Sequence, residues 1–206
     1  MLEFGGLRIR TDKRVYEPRD DTFLAAMVIE SVLHKMKKEG IAVLDMGTGT
    51  GLLGITAAKY ANVASVTFAD INRKALDMAK GNYKLNRALV GAKAKFLLTD
   101  LFEKVKGRFD LVIFNAPYLP GEDDGRRVAL SETWNGGREG IETCIRFVEG
   151  LDAHLNGGGR AILVVSSFAN LPKLKKMIRA AGFSSRSVAK KHIFFEDIIV
   201  MELRAT

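Results

Sequence analysis

Between residues 41 and 181 the chain switches, element by element, between two hydrophobic periodicities. Short apolar runs at Ile41–Met46, Ser65–Asp70, Ala94–Thr99, Phe109–Asn115 and Ala161–Ser166 have the length and β-branched content of buried strands. Between them, Leu52–Tyr60, Asn72–Asn86, Ile141–Leu155 and Leu171–Ala181 repeat apolar residues at helical spacing, several of them closed by Gly or Asn. Strand and helix in alternation predict a parallel sheet with helices on both faces, because each crossover carries the chain back over the sheet. The pattern breaks at the end. Ser184–Lys191 and Ile193–Leu203 follow each other with no helix between, and are expected to pair antiparallel at the sheet edge. Seven strands in an α/β, mostly parallel sheet result. Ahead of them, Leu7, Ile9 and Val15 alternate with Arg8, Arg10 and Arg14 as in a short hairpin or extended arm. Asp20, Asp21 and Thr22 read as N-cap and first-turn residues of a helix whose apolar positions run from Leu24 to Met36, with Gly40 as its end.

At 206 residues the chain fits one domain over 1–206, with 1–40 as an arm and helix over the ligand-binding end. Hydrophobic residues at 47% and charged residues at 27% exclude disordered and collagen-like classes. No apolar stretch approaches the roughly 18 residues of a bilayer span. Met1 to Arg14 lacks the apolar stretch of a secretory signal, so a cytoplasmic protein is expected. Cys144 is the single cysteine, and His34, His154 and His192 have no ligand partners at metal spacing; no metal is expected. The net charge of +8 is uneven: +5 over 84–108, +6 over 160–206 and −5 over 109–159. A basic balance favours an anionic partner or simply a solvated surface.

The first buried strand runs into Asp45-Met46-Gly47-Thr48-Gly49-Thr50-Gly51, and Leu52-Leu53-Gly54 then opens a helix. Glycines here let the backbone turn sharply and approach a ligand in front of a helix N-terminus. Gly49, Gly51 and Gly54 satisfy the Gly-x-Gly-x-x-Gly pattern of dinucleotide binders, with Asp70 placed to hold a ribose. The other register, Gly47-x-Gly49-x-Gly51 preceded by Asp45, looks like the first motif of S-adenosylmethionine-dependent methyltransferases. An acidic residue before the loop suits a cationic sulfonium and amino group and repels a pyrophosphate, so Asp45 favours S-adenosylmethionine. Asp70, ending the second strand, then serves the ribose hydroxyls. Asp100, ending the third, is placed to accept from the adenine amine, with Leu101 or Phe102 against the ring.

The fourth strand ends in Asn115-Ala116-Pro117-Tyr118. This resembles the Asn-Pro-Pro-Tyr motif of methyltransferases that act on planar nitrogens, either glutamine amides or exocyclic base amines. The lone pair of such a nitrogen is delocalised, so the protein must orient it and accept its protons. The Asn115 side-chain carbonyl and the residue 116 backbone carbonyl are the two acceptors, and Tyr118 packs on the flat group. Ala116 stands where the family has proline; its carbonyl remains, and Pro117 after it keeps it extended.

Tyr16-Glu17-Pro18-Arg19-Asp20-Asp21-Thr22-Phe23-Leu24 resembles the Tyr-Glu-Pro-x-x-Asp-Thr-Phe-Leu segment of HemK-like glutamine methyltransferases, in the short eukaryotic and archaeal branch. The resemblance continues through Trp134-Asn135-Gly136-Gly137-Arg138-Glu139-Gly140, Leu155-Asn156-Gly157-Gly158-Gly159 and the closing strand. It implies a seven-stranded Rossmann-like methyltransferase sheet. It also implies a cofactor site of Tyr16, Thr22, Asp45, Gly47, Thr48, Gly49, Gly51, Asp70, Ile71, Asp100, Leu101 and Asn115, with Thr22 near the cofactor carboxylate. S-adenosylhomocysteine is the implied product. The implied substrate is the glutamine of the Gly-Gly-Gln loop in a class-1 translation release factor, and the branch often works with a small zinc-binding activator subunit. Glu122, Asp123 and Asp124, just after Tyr118, would repel phosphates at the mouth of the site and attract a basic peptide loop. The basic segments keep an RNA or DNA exocyclic-amine substrate open, as does the branch for other protein side chains such as lysine.

Overall fold

The structure, a computed structural model, describes residues 1–117 and 139–206. A two-stranded hairpin, β1 (Leu2–Phe4) and β2 (Leu7–Ile9), precedes α1 (Asp20–Lys35). Then come β3 (Ile41–Met46), α2 (Leu52–Ala58), β4 (Val63–Asp70), α3 (Arg73–Leu85), β5 (Lys93–Leu98) and β6 (Phe109–Asn115). After the undescribed residues follow α4 (Glu142–Leu151), β7 (Leu155–Ser166), α5 (Leu171–Ala180), β8 (Phe183–Ile193) and β9 (Glu196–Ala205). Seven strands form one sheet in the order β5-β4-β3-β6-β7-β9-β8. The first five run parallel, while β9 lies antiparallel between β7 and β8. This is the expected α/β sheet with its antiparallel closing pair.

Both faces of the sheet are buried, which is why its strands read as continuous apolar runs. Along β3, Ile41 and Val43 pack with Ile29, Ile55 and Phe68 on the side of α1, α2 and α3, whereas Leu44 and Met46 pack with Phe147, Leu163 and Leu174 under α4 and α5. The chain leaves β3 toward one edge and β6 toward the other. Their carboxyl ends therefore flank the crevice where open α/β sheets take their ligands.

Several boundaries differ from the sequence reading, and those around α1, α4 and β7 have local reasons. α1 stops at Lys35 rather than at Gly40, because Asn62 Nδ2 donates to the carbonyls of Leu33 and Met36 and ties off the last turn. Its N-cap is Arg19, with no side-chain capping bond, and Asp20 instead pairs with Lys191 at 2.7 Å. α4 gives way at Leu151 to a short turn of 3₁₀ helix, and β7 already starts at Leu155, with a register shift between Phe109 and Leu111 on its partner β6. The irregular stretch is anchored by Asn156 Nδ2, which donates to Asp110 Oδ1 at 2.8 Å. Asp110 also accepts from Lys38 Nζ and the Ala42 N–H, and these donors hold its carboxyl below the usual range. It lies at the amino end of β6, away from the crevice.

The amino-terminal arm is attached by two buried asparagines of α3 and its C-cap. Asn82 accepts from the Arg10 N–H and donates to the Arg10 and Thr50 carbonyls; Asn86 accepts from the Arg8 N–H and donates to the Arg8 carbonyl. Each side chain imitates a strand neighbour, satisfying backbone groups that would otherwise be stranded.

Candidate active site

The glycine loop leaves β3 with Gly47, Gly49 and Gly51 all at positive φ, a run open only to glycine. Two carboxylates brace it from behind. Asp45, almost fully buried, accepts through Oδ2 from the Thr48 hydroxyl at 2.5 Å and the Gly54 N–H at 2.9 Å. Asp70 accepts through Oδ2 from the Gly49 N–H at 2.9 Å and through Oδ1 from the Asn72 N–H at 2.8 Å. Burial pushes the Asp45 carboxyl up to about 7, against the pull of Thr48 and Gly54 and with the help of the Asp70 charge. Burial raises Asp70 too, against the backbone donors. Sequence reasoning gave both residues to the ligand; the structure gives each of them loop-building bonds as well. A carboxylate has about four acceptor positions, and beside the Gly49, Asn72 and Ile71 N–H groups Asp70 keeps capacity for a hydroxyl donor.

At the neighbouring strand ends, Ile71 follows Asp70 and is 65% exposed, so its side chain is open to a flat apolar group. Leu101, after β5, stands at φ +42°, a strained conformation for leucine that Thr99 clamps by donating to the Leu101 carbonyl and accepting from the Lys104 N–H. Asp100 faces Arg146, whose guanidinium lies 2.9 Å from Oδ2. Phe102, partly buried, stacks between Phe147 and His154 against the core, and Gly150 lies so close that a side chain there would overlap its ring.

Where β6 ends, Asn115 meets the start of α1. Its Nδ2 donates to Asp21 Oδ2 at 3.0 Å and to Thr22 Oγ1 at 3.3 Å. The Tyr16 hydroxyl donates to the same Asp21 oxygen at 2.8 Å, and Asp21 Oδ1 accepts from the Thr22 N–H at 2.6 Å and its hydroxyl at 3.1 Å. Tyr16, Thr22 and Asn115 are brought together around Asp21. Sequence reasoning treated Asp21 as a first-turn acid; its signal was its place as the aspartate of the Tyr-Glu-Pro-x-x-Asp-Thr segment. The other end of the amide, Asn115 Oδ1, is buried with no hydrogen-bond partner among the described residues. A buried carbonyl without a donor costs about 1–3 kcal/mol, which an N–H from a ligand would offset. Ala116 is buried and Pro117 half-buried beside it. Tyr118, Glu122, Asp123, Asp124 and the Trp134–Arg138 stretch lie outside the described residues.

A nucleoside with a cationic amino acid tail fits this set. Asp70 offers acceptors to a ribose, Ile71 and Leu101 offer faces to a base, and the open space at Gly49, where an added Cβ would approach no atom closer than 4.0 Å, leaves room for the tail. Known proteins agree. Residues 21–132 match the methyltransferase small domain family. A protein of Methanocaldococcus jannaschii named protein N5-glutamine methyltransferase is 33% identical over 202 residues, covering 98% of this chain and 97% of its own length. The release factor glutamine methyltransferase of Deinococcus radiodurans is also 33% identical, over 89% of this chain and 66% of its own length. Among solved structures, the E. cuniculi Mtq2–Trm112 complex, responsible for methylation of the eRF1 translation termination factor, superposes with a TM-score of 0.70 at 25% identity, covering 94% of this chain and 99% of that one. With a glycine loop, strand-end aspartates and an Asn-Ala-Pro turn on one crevice, the chain belongs to the methyltransferase small domain family and is an S-adenosylmethionine-dependent methyltransferase.

Proposed function

We propose that the protein methylates the side-chain amide nitrogen of a glutamine in a class-1 translation release factor. The observation that carries the reading is the buried, unpartnered Asn115 Oδ1. It supplies an acceptor where a planar NH₂ group would arrive, and the Ala116 carbonyl next in the chain supplies a second. Two acceptors in the plane of an amide nitrogen hold both N–H bonds and turn its π face toward the donor. S-adenosylmethionine, when bound, supplies an electrophilic methyl group on a sulfonium. The chain's own part is to place and orient: Asp70, Ile71, Asp100 and Leu101 for the nucleoside, Gly47–Gly51 and Thr22 for the amino acid tail, Asn115 and Ala116 for the substrate nitrogen. No side chain among the described residues is set to remove the proton, which passes to solvent after transfer. The relatives' names support a release-factor substrate, and the Mtq2–Trm112 complex supports a small partner subunit for this chain as well.

Incubation with labelled S-adenosylmethionine and a release factor from the same source, followed by peptide mass spectrometry, should place the label on the glutamine of the Gly-Gly-Gln loop. Label on RNA, or on lysine, would replace the glutamine reading. Asp70→Ala should weaken S-adenosylmethionine binding by about 1–3 kcal/mol, since a charge-assisted contact and a loop brace are lost together. Calorimetric titration showing unchanged affinity would remove Asp70 from the site.

A pH prediction follows from Asp45. Its carboxyl, ordinarily near 3.8, titrates at about 7 in the ligand-free fold, so its contribution to stability is present below 3.8 and is lost as pH rises through 7. A cationic ligand favours the ionised form and lowers that value. Binding therefore releases a proton, and affinity for S-adenosylmethionine should rise with pH up to about 7 and then level off. S-adenosylhomocysteine, which lacks the sulfonium charge, should show a shallower rise. Parallel slopes for the two ligands between pH 5.5 and 8 would mean that the carboxyl does not sense the sulfonium.

A further inference from the structure

We propose that Asp21 is a positioning residue for the transfer: its carboxylate fixes which end of the Asn115 amide faces the substrate. The turnover part of this inference rests on the functional reading above; the orientation itself rests on geometry. A terminal amide is nearly symmetric in shape. Half a turn about its last bond exchanges a carbonyl oxygen for an NH₂ group at little steric cost. At Asn115 that exchange decides whether an acceptor or a donor meets the arriving nitrogen, which itself carries N–H bonds.

Asp21 removes the choice. Its Oδ2 lies 3.0 Å from the Asn115 amide, and a carboxylate has no proton to give, so only the NH₂ end fits against it. Thr22 Oγ1 adds a second acceptor at 3.3 Å, because its own proton is directed to Asp21 Oδ1. Asp21 is held in turn by the Thr22 N–H and the Tyr16 hydroxyl, and is almost fully buried. Among these bonds each N–H or O–H points toward Asp21 or Thr22. The polar atom left over is Asn115 Oδ1, turned to the acceptor role. The amino-terminal segment thereby sets the polarity of a residue 94 positions away.

Asp21→Asn keeps the size of the side chain but presents an amide of either polarity. It should lower kcat about 100-fold, a typical effect of losing one preorganised contact, while the Kd for S-adenosylmethionine stays within about threefold. Combining Asp21→Asn with Asn115→Asp reverses the pair: the new amide donates, the new carboxylate accepts, and its second oxygen faces the substrate. This double variant should recover at least tenfold of the lost kcat, which a purely structural role for Asp21 would not allow. Nitrogen-15 spectra of the substrate-free protein give an independent reading. The Asn115 side-chain NH₂ should be protected from exchange in the parent protein and lose that protection in Asp21→Asn. Turnover within about twofold of the parent, a double variant that binds cofactor without recovery, or an NH₂ equally protected in both proteins would each overturn the proposal. A parent protein that does not methylate the release factor would sink the substrate reading alone, with the spectra still deciding the orientation.

Discussion

Replacing Asn115 with alanine is expected to lower kcat by about 10²–10³-fold while cofactor affinity changes little. The magnitude is that of removing one fixed dipole aimed at the reacting group in a site shielded from water. The side chain sits at the end of β6, whose residues from Phe109 to Phe114 are buried, so the deletion leaves the strand in place and takes away only the acceptor. Asp21 keeps the Tyr16 hydroxyl and the Thr22 donors, which limits the cost of losing Asn115 Nδ2. Asn115→Asp alone is a sharper probe. It preserves an acceptor but sets a second carboxylate beside Asp21, and like charges at about 3 Å destabilise the pair strongly. Single-turnover rates under saturating cofactor would check both. An alanine variant within tenfold of the parent would mean that the substrate nitrogen is held elsewhere.

The second large effect concerns folding. Gly54→Ala should destabilise the protein by about 3 kcal/mol, near the upper end for overpacking, and lower Tm by about 6–12 °C for a chain of this size. A Cβ at residue 54 would overlap the Phe68 ring and sit 2.8 Å from Asp45 Oδ2. Neither neighbour can yield. Phe68 is stacked on Phe96 at 4.9 Å and meets Tyr83 edge-on, while the Asp45 oxygen is held by the Gly54 N–H itself. α2 would have to lift from β4 and take the glycine loop with it, so cofactor binding should fail in step with stability. Gly81→Ala is the natural control: it lies inside α3 with nothing within 4 Å of the added carbon, and should raise stability by about 0.4–1 kcal/mol. Thermal unfolding with and without S-adenosylmethionine would distinguish the two; an unchanged Tm for Gly54→Ala would show that the helix can back away freely.

What was legible beforehand follows from what each signal depends on. The boundaries of β3 and β6 were readable to the residue because their apolar side chains enter two different cores and form runs broken only by Asp45 and Asp110. The ends of α1 and α4 were not, because they are set by Asn62 and by the Asp110–Asn156 contact, partners far away in sequence. At the site, Asn115, Asp70 and the glycines stood out by residue type at strand ends. Their bonds did not. That Asp45 braces the loop, that Phe102 stacks on Phe147 and that Asp21 joins Asn115 are facts of packing between segments that no periodicity encodes.

The attachment of the arm to α3 has a consequence for synthesis. Arg8 and Arg10 are made early, yet the asparagines that receive their backbones come 78 and 72 residues later. At translation rates of about 5–20 residues per second, the arm waits on the order of several seconds outside the ribosome before its partner exists. During that time Leu7 and Ile9, fully buried in the finished protein, lack the part of their cover that α3 supplies. The arginines alternating with them give the waiting segment charge, and the bonds that fix the arm to Asn82 and Asn86 can form only once α3 has been made.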